Sequence, residues 1–295
     1  MTHHTWSIGQ LSSRTGLPVK TIRYYSDIGL LPVAERSTGG HRRYSQEALE
    51  LLALIRRLRA LEMPVATIAS VAAGELSLSA LVADELEAVG EQLAGLRWRQ
   101  ATLQALDDCP PQERLRRLEV LSAVQRLPEA RAGLLEVWEK AVPPEVPARL
   151  AEAVISQAVP TAPSAPTPRH VLAYAELHVL AARPDFGHQM IFPLRSGIAS
   201  LFDGLLDACD LALEARASGS PGQFTEALTL FVRSYARASG TTDSPDFRAL
   251  LRDSLRARPA FPRYWQHISE VTDDQGRNLG AVHTELITAL ADPPA

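Results

Sequence analysis

Thr15-Gly16-Leu17-Pro18-Val19-Lys20-Thr21-Ile22-Arg23-Tyr24-Tyr25, with Ser37-Thr38-Gly39-Gly40-His41-Arg42-Arg43-Tyr44 shortly after it, decides the fold of the first part of the chain. Gly16 is placed to end one helix, and Pro18, with its preset φ, opens another. The first of these helices is expected to start at Ile8. Ser7 caps it, and Gln10 at the third helical position completes a reciprocal capping box. The second is expected over Val19–Ile28 and is ended by Gly29. Ser37–Gly40 reads as a turn and His41–Tyr44 as the return strand of a small hairpin, a wing beside the two helices. Ser45 then caps a helix from Gln46 to about Leu61, with Leu49, Leu52, Ile55, Leu58 and Leu61 on one face. Pro64 begins a shorter helix, Val65–Ala73, which Gly74 closes.

Two short helices around a tight turn, followed by a wing, are a nucleic-acid-reading layout in which the second helix enters the major groove. That helix is expected to expose Lys20, Thr21, Arg23 and Tyr24 and to turn Val19, Ile22 and Ile28 to the core. Arg23 can donate bidentately to guanine or phosphate, and Thr21 can meet a phosphate or a thymine methyl. Tyr24 and Tyr25 offer hydroxyls to phosphates, unless one of them is buried against the wing. Gly39 and Gly40 let the backbone turn tightly and approach a phosphate. Strand alternation should send Arg42 and Arg43 to opposite sides, so only one of them is a main contact.

Charge points the same way. The chain of 295 residues carries a net charge of −4, yet residues 1–75 hold nine Lys/Arg against six Asp/Glu. The remaining residues hold 21 basic and 28 acidic side chains. A basic end on an acidic chain suits a polyanion at that end, although an uneven solvated surface gives the same count.

The residues now carry a resemblance. Ile8-Gly9-Gln10-Leu11-Ser12, Thr15-Gly16-Leu17-Pro18, Thr21-Ile22-Arg23-Tyr24-Tyr25, Ile28-Gly29-Leu30-Leu31-Pro32 and His41-Arg42-Arg43-Tyr44 follow one another in an order and at distances that closely resemble the N-terminal domain of the MerR family of regulators. The resemblance covers about 70 residues, a quarter of the chain. It implies Arg23 and Tyr24 as DNA contacts and leaves Tyr25 open. It further implies Arg42 as the outward basic residue of the wing, Tyr44 as a packed one, and Arg59 as a phosphate contact rather than a merely solvated arginine. The role of His41 stays open. The resemblance also implies a dimer on a pseudo-palindromic double-stranded promoter with an overlong spacer, which the activated protein bends and untwists for RNA polymerase. Contacts from both arms of the dimer would offset a bending energy of a few kcal/mol.

Downstream of a winged helix-turn-helix over residues 5–75, a dimerisation helix is expected over 76–108. Val82, Leu86, Val89, Leu93, Leu96 and Leu103 fall on alternating three- and four-residue steps, with Gln100 at the one polar seam position. Such a seam needs a partner helix, from a second copy or from the rest of this chain. Residues 109–295 read as an all-helical domain, so the fold class is mainly α. Residues 112–140 look helical. A linker follows at Pro143-Pro144 and Pro160–Pro168, then helical patterns near 169–182, 194–217, 222–239, 244–257, 260–272 and 275–291.

Several functions are disfavoured. No run approaches 18 apolar residues and MTHHTWSIGQ is unlike a signal peptide, so no membrane span and a cytoplasmic location are expected. Cys109 and Cys209 lie 100 positions apart, which suits a reducing compartment. Cys109 alone cannot close the metal site of metal-sensing relatives, and an iron–sulfur centre would need four cysteines. Asp185-Phe186-Gly187-His188 has the wrong spacing for a cobalamin ligand motif, so no cofactor is expected. His178 and His188 can converge with Asp185, but isolated histidines suit them better. There is no nucleophile elbow, phosphate loop or Ser/Cys–His pair, so an enzyme is not expected. The twelve aromatics from Trp138 to Trp265, Phe192 among them, are first of all core, and any that line a cavity between helices suit a small organic effector. The expected whole is a dimeric DNA-binding regulator that answers to such an effector; the alternative is a ligand-sequestering resistance protein that keeps the head.

Overall fold

The structure, a computed structural model, describes residues 5–124, 126–190, 197–274 and 276–290, with the side chain of Ala199 left aside. It divides into two compact units, residues 1–92 and 93–295. In chain order the first unit holds β1 (Trp6–Ser7), α1 (Ile8–Thr15), α2 (Val19–Asp27), β2 (Glu35–Arg36), β3 (Arg42–Tyr44), α3 (Gln46–Ala60) and α4 (Val65–Ala72). The long helix α5 (Leu78–Asp107) carries the division between units. After a 3-10 turn at Pro111–Glu113 come α6 (Arg114–Leu121), α7 (Leu127–Ala141), α8 (Ala148–Ala158), α9 (Pro168–Ala181) and α10 (Phe186–Met190). Then follow α11 (Ile198–Ser218), α12 (Pro221–Ala238), α13 (Pro245–Arg256), α14 (Ala260–Thr272) and α15 (Leu279–Ala289). The fold is mainly α with one small sheet.

Local chemistry sets the ends of the first helices. Ser7 accepts from the Gln10 amide at 3.3 Å and the Gln10 side chain accepts from the Ser7 amide at 2.8 Å, closing the capping box. Gly16 ends α1 at φ +73°, a conformation that penalises any Cβ. The Arg56 guanidinium donates to the Thr15 carbonyl at 2.8 Å, where the helix C-terminus is negative. Ser12 Oγ donates to the Leu17 carbonyl at 2.7 Å and pins the turn before α2. Leu11, Ile22, Leu31, Tyr44, Leu52, Ile55 and Ile68 make the core of this unit.

The sheet has order β1-β3-β2, all antiparallel. The hairpin β2–β3 is the expected wing. β1 is an addition, in which Trp6 pairs with Tyr44 and Ser7 with Arg43. Three apolar positions depart from the expected core. Val19 and Ile28 lie on the surface of α2, whose buried residues are Ile22 and Tyr25. Leu61, just past the end of α3 at Ala60, is exposed.

On α5, Leu81, Trp98, Ala101 and Ala105 are buried, whereas the seam residues Val82, Leu86, Val89, Leu93, Leu96 and Leu103 are all exposed, Leu86 at 69% and Leu96 at 63%. In the second unit the expected helix over 112–140 is two helices, α6 and α7, and Leu115 and Leu118 of α6 face solvent. Between the two proline groups expected as linker lies a regular helix, α8. The short α10 was also not expected.

Two hydrophobic clusters build the second unit. One joins Trp98 of α5, Trp138 of α7, Tyr174 of α9 and Tyr264, Trp265 and Ile268 of α14. The Trp138 indole donates to the Tyr264 hydroxyl at 2.7 Å, and that hydroxyl donates to the Ala158 carbonyl at 2.8 Å. Buried polar groups are thus satisfied across three helices. The other cluster joins Leu201 and Ala208 of α11, Phe231 and Tyr235 of α12, Leu251 of α13 and Leu286 of α15. α11 and α12 pack tightly at Gly204, where a Cβ would come within 2.2 Å of Ser234 Oγ.

Candidate nucleic-acid interface

α2 presents its polar face outward. Lys20, Arg23 and Tyr24 are exposed, with Tyr24 at 52%, while Thr21 is half-buried. Tyr25 is 6% exposed and belongs to the core, so the pair of adjacent tyrosines divides between surface and interior. Among the expected contacts on α2, Tyr25 is the one removed from the surface. No side chain caps the N-terminus of α2, so its first turn keeps open N–H groups of the kind that favour phosphate.

The wing is fastened to the last turn of α2 at two points. Tyr44, fully buried, shares a hydrogen bond of 2.9 Å with Ser26 Oγ. Arg42 pairs with Asp27 at 2.6 Å. Hydrogen bonding to the Asp27 carboxylate, with a smaller contribution from the Tyr44 phenol, raises the Arg42 pKa above its ordinary value. Arg42 and Tyr44 share one face of β3 because side chains alternate along a strand, and Arg43 faces the other way. Arg42, expected as the outward basic residue of the wing, thus stands half-exposed in an ion pair with the Asp27 carboxylate. Arg43 lies beside Glu35 in register.

The tip of the wing is a glycine turn. Gly40 sits at φ +77°, its amide donates to the Ser37 carbonyl at 2.8 Å, and the Ser37 amide donates to the His41 carbonyl at 2.8 Å. His41 is exposed. Arg36, which the sequence reading passed over, stands opposite Arg42 in the hairpin register and is exposed. Counting back across the turn from Tyr44 would have found it. Arg59, expected at a phosphate, is exposed but donates to the Met63 carbonyl at 2.6 Å, where it also closes the end of α3.

Replacing Asp27 by Asn leaves the surface of α2 in place and releases Arg42. The expected result is tighter duplex binding and a log–log salt slope steeper by about one, as one more cation reaches a phosphate. Fluorescence anisotropy at graded salt measures it; an unchanged slope means Arg42 does not reach the backbone even when free.

In the second unit Asp185 binds Arg183 at 3.1 and 3.2 Å and Gln189 at 3.2 Å, so it does not gather His178 and His188. Burial holds the His178 imidazole down at about 4, hence neutral at ordinary pH. Among the described residues no group of three His, Cys, Asp or Glu side chains is arranged to hold a metal ion. Cys109 and Cys209 are buried free thiols. No helix of the described residues is long and apolar enough to cross a membrane.

Capped α1, the glycine turn, α2 with its polar face outward and a three-stranded wing together define a winged helix-turn-helix. Residues 6–75 match the family described as MerR HTH family regulatory protein, and this part of the chain is a MerR-family domain. The chain is 37% identical over 89 residues to the nodulation protein NolA of Bradyrhizobium sp. (strain NC92), a match spanning 30% of this chain and 38% of that protein. It is 42% identical over 66 residues to the HTH-type transcriptional activator TipA of Streptomyces coelicolor, 22% of this chain and 26% of that protein. Over 54 residues it is 43% identical to the mercuric resistance operon regulatory protein of Bacillus cereus, 18% and 41% of the two chains. The chain thus spans about two-fifths of the length of the nodulation proteins it resembles, and no solved structure gives a significant match.

Proposed function

We propose that this protein is a dimeric regulator of transcription that binds a pseudo-palindromic promoter through α2 and the wing and answers to a small organic effector held by its helical second unit. The observation that carries the first half is the exposed row Lys20, Arg23 and Tyr24 on a helix whose opposite side, Ile22 and Tyr25, is buried in a MerR-family domain. Arg23 supplies direct readout of a base or a paired phosphate. Lys20, Thr21, Tyr24, the Gly40–His41 tip and Arg43 position the duplex, with Arg42 and Arg59 in reserve behind their internal partners. RNA polymerase is the third party to the assembly.

The unpartnered seam on α5 supports dimerisation. A row of exposed apolar side chains along a 30-residue helix is the kind of surface that a second copy covers in a coiled coil. Two copies also suit a two-fold operator. The effector half rests on a cavity in the second unit, between its two hydrophobic clusters. Two of the relatives, the activator TipA and the mercuric resistance operon regulatory protein, are regulators by name, which favours regulation over catalysis.

Genomic footprinting of the full chain tests the proposal. Protection is expected at a small number of pseudo-palindromic sites near promoters, and the gene beside them names the effector class. Protection that is absent, or spread evenly over the genome, contradicts it. A drug bound tightly with no change in promoter output favours the sequestering protein instead.

A further inference from the structure

A cavity of about 270 Å³ lies in the second unit where the two hydrophobic clusters meet. Trp138, Phe261 and Trp265 line it from one cluster, and Leu201, Cys209 and Tyr235 from the other. Most of its wall is aliphatic or aromatic. An apolar cavity of about 150 Å³ accepts benzene, so this one has room for about two fused rings. Gly280 lets α15 lie against the Trp265 indole; a Cβ there would stand 1.8 Å from the ring.

Three residues of that wall each carry a buried polar atom without a hydrogen-bond partner: Gln189 Oε1, Trp265 Nε1 and His283 Nδ1. Unmet buried polar atoms are rare in folded proteins, and three around one cavity mark a place where a partner is missing. Their chemistry is complementary. The Gln189 amide nitrogen donates to the Asp185 carboxylate at 3.2 Å, which leaves the oxygen as the open end, and an amide oxygen only accepts. The Trp265 indole N–H only donates. His283 is held at its other nitrogen, Nε2, which pairs with the Tyr235 hydroxyl at 2.9 Å. A ligand that meets both Gln189 and Trp265 must therefore donate and accept. A carboxylate can only accept, an ammonium can only donate, and a hydroxyl or an amide does both.

The wall also keeps its own buried groups uncharged. Burial, aided by Arg258, pushes the His283 imidazole down to about 3, and burial pushes the Cys209 thiol up to about 12. Burial raises the Tyr235 phenol as well. The charged residues of the described lining are Arg256, which is exposed, and Arg258, which is half-buried and already engaged with a partner in the protein. An environment that opposes ionisation of its own side chains opposes a charged guest for the same reason, the loss of hydration.

We infer that this cavity binds an uncharged aromatic or alicyclic compound of about two rings that carries a hydroxyl or amide, its rings against the apolar wall and its polar group shared between the Gln189 carbonyl oxygen and the Trp265 indole N–H. This deepens the effector reading given above and rests on it. Acids and amines of the same shape are rejected, because each leaves one of the two polar atoms unmet and gives up its own hydration.

The probes are 1-naphthylmethanol, 1-methylnaphthalene, 1-naphthoate and protonated 1-naphthylmethylamine, titrated calorimetrically into the full-length protein without DNA. The alcohol is expected to bind with one site per chain, at least about tenfold more tightly than either charged probe and about threefold to tenfold more tightly than the hydrocarbon. Gln189→Leu should erase the advantage of the alcohol over the hydrocarbon while keeping the affinity for the hydrocarbon. Leu205→Phe, which narrows the cavity, should weaken both, with circular dichroism confirming that each variant folds. Should neither variant fold, the order of the four probes on the unaltered protein decides. Equal or tighter binding of a charged probe or of the hydrocarbon overturns the inference. So does no binding of any probe, an unchanged alcohol advantage in folded Gln189→Leu, or unchanged affinities in folded Leu205→Phe. Duplex binding is measured on the same samples. Its loss with probe binding intact overturns the regulatory reading, and its retention without probe binding overturns only the cavity assignment.

Discussion

Leu86→Lys combined with Leu93→Lys is expected to convert a dimer into a monomer without unfolding either unit. Both leucines are exposed on α5 within the single chain, so neither change opens an internal cavity. In a coiled coil each would be buried against the partner. Burial of a leucine is worth about 1.5–3 kcal/mol, and four are lost per dimer, on the order of 6–12 kcal/mol in all. A micromolar dimer is held by only about 8 kcal/mol, so the seam would not survive the double change. Four lysines facing one another would weaken it further. Sedimentation should show one species at the mass of one chain, and operator affinity should fall by about 10²–10⁴, because the two half-sites are no longer bound by one linked molecule. An intact dimer would mean that the exposed leucines serve something else.

The second large effect belongs to Arg23. Its replacement by Ala should weaken binding to the footprinted site by about 1–3 kcal/mol, roughly tenfold to a hundredfold, and relax the choice between that site and a scrambled duplex. The helix should be unaffected, since Arg23 is exposed and alanine favours helix. Arg42→Ala, by contrast, should lower affinity evenly across sequences, and by less than a free wing arginine would, because Asp27 already holds the guanidinium. Equal losses for both variants on both duplexes would place Arg23 on the backbone rather than on a base.

Much of the first unit was legible because its signals are local. Ser7 with Gln10, Gly16, Pro18, Gly29, Ser45 and Gly74 each act on the backbone within a few residues of themselves, and the structure has helix ends or left-handed turns at these positions. What the sequence hid is non-local or too short to show a period. β1 is two residues long, and Ser7 both pairs with Arg43 and caps α1. The Arg42–Asp27 pair joins residues from different elements, and nothing in Arg42-Arg43 says which arginine is tied. Proline counting marked loops at 143–144 and 160–168 but nothing announced α8 between them, where Pro147 stands just before the helix at its cap, a position where proline is no obstacle. Leu61, Leu115 and Leu118 obey a helical stripe but stay exposed, since periodicity names a face and not what covers it. The cavity draws its wall from residues between Trp138 and Thr288, so no motif could announce it.

The most direct test of the account is the affinity of the wild-type dimer for its footprinted duplex and for a scrambled one, followed from low to moderate salt. Both duplexes are expected to bind at low salt, and only the footprinted one to be retained at moderate salt. A preference that vanishes at moderate salt, or no retention of any duplex, would contradict the assignment of α2 and the wing as a sequence-reading surface.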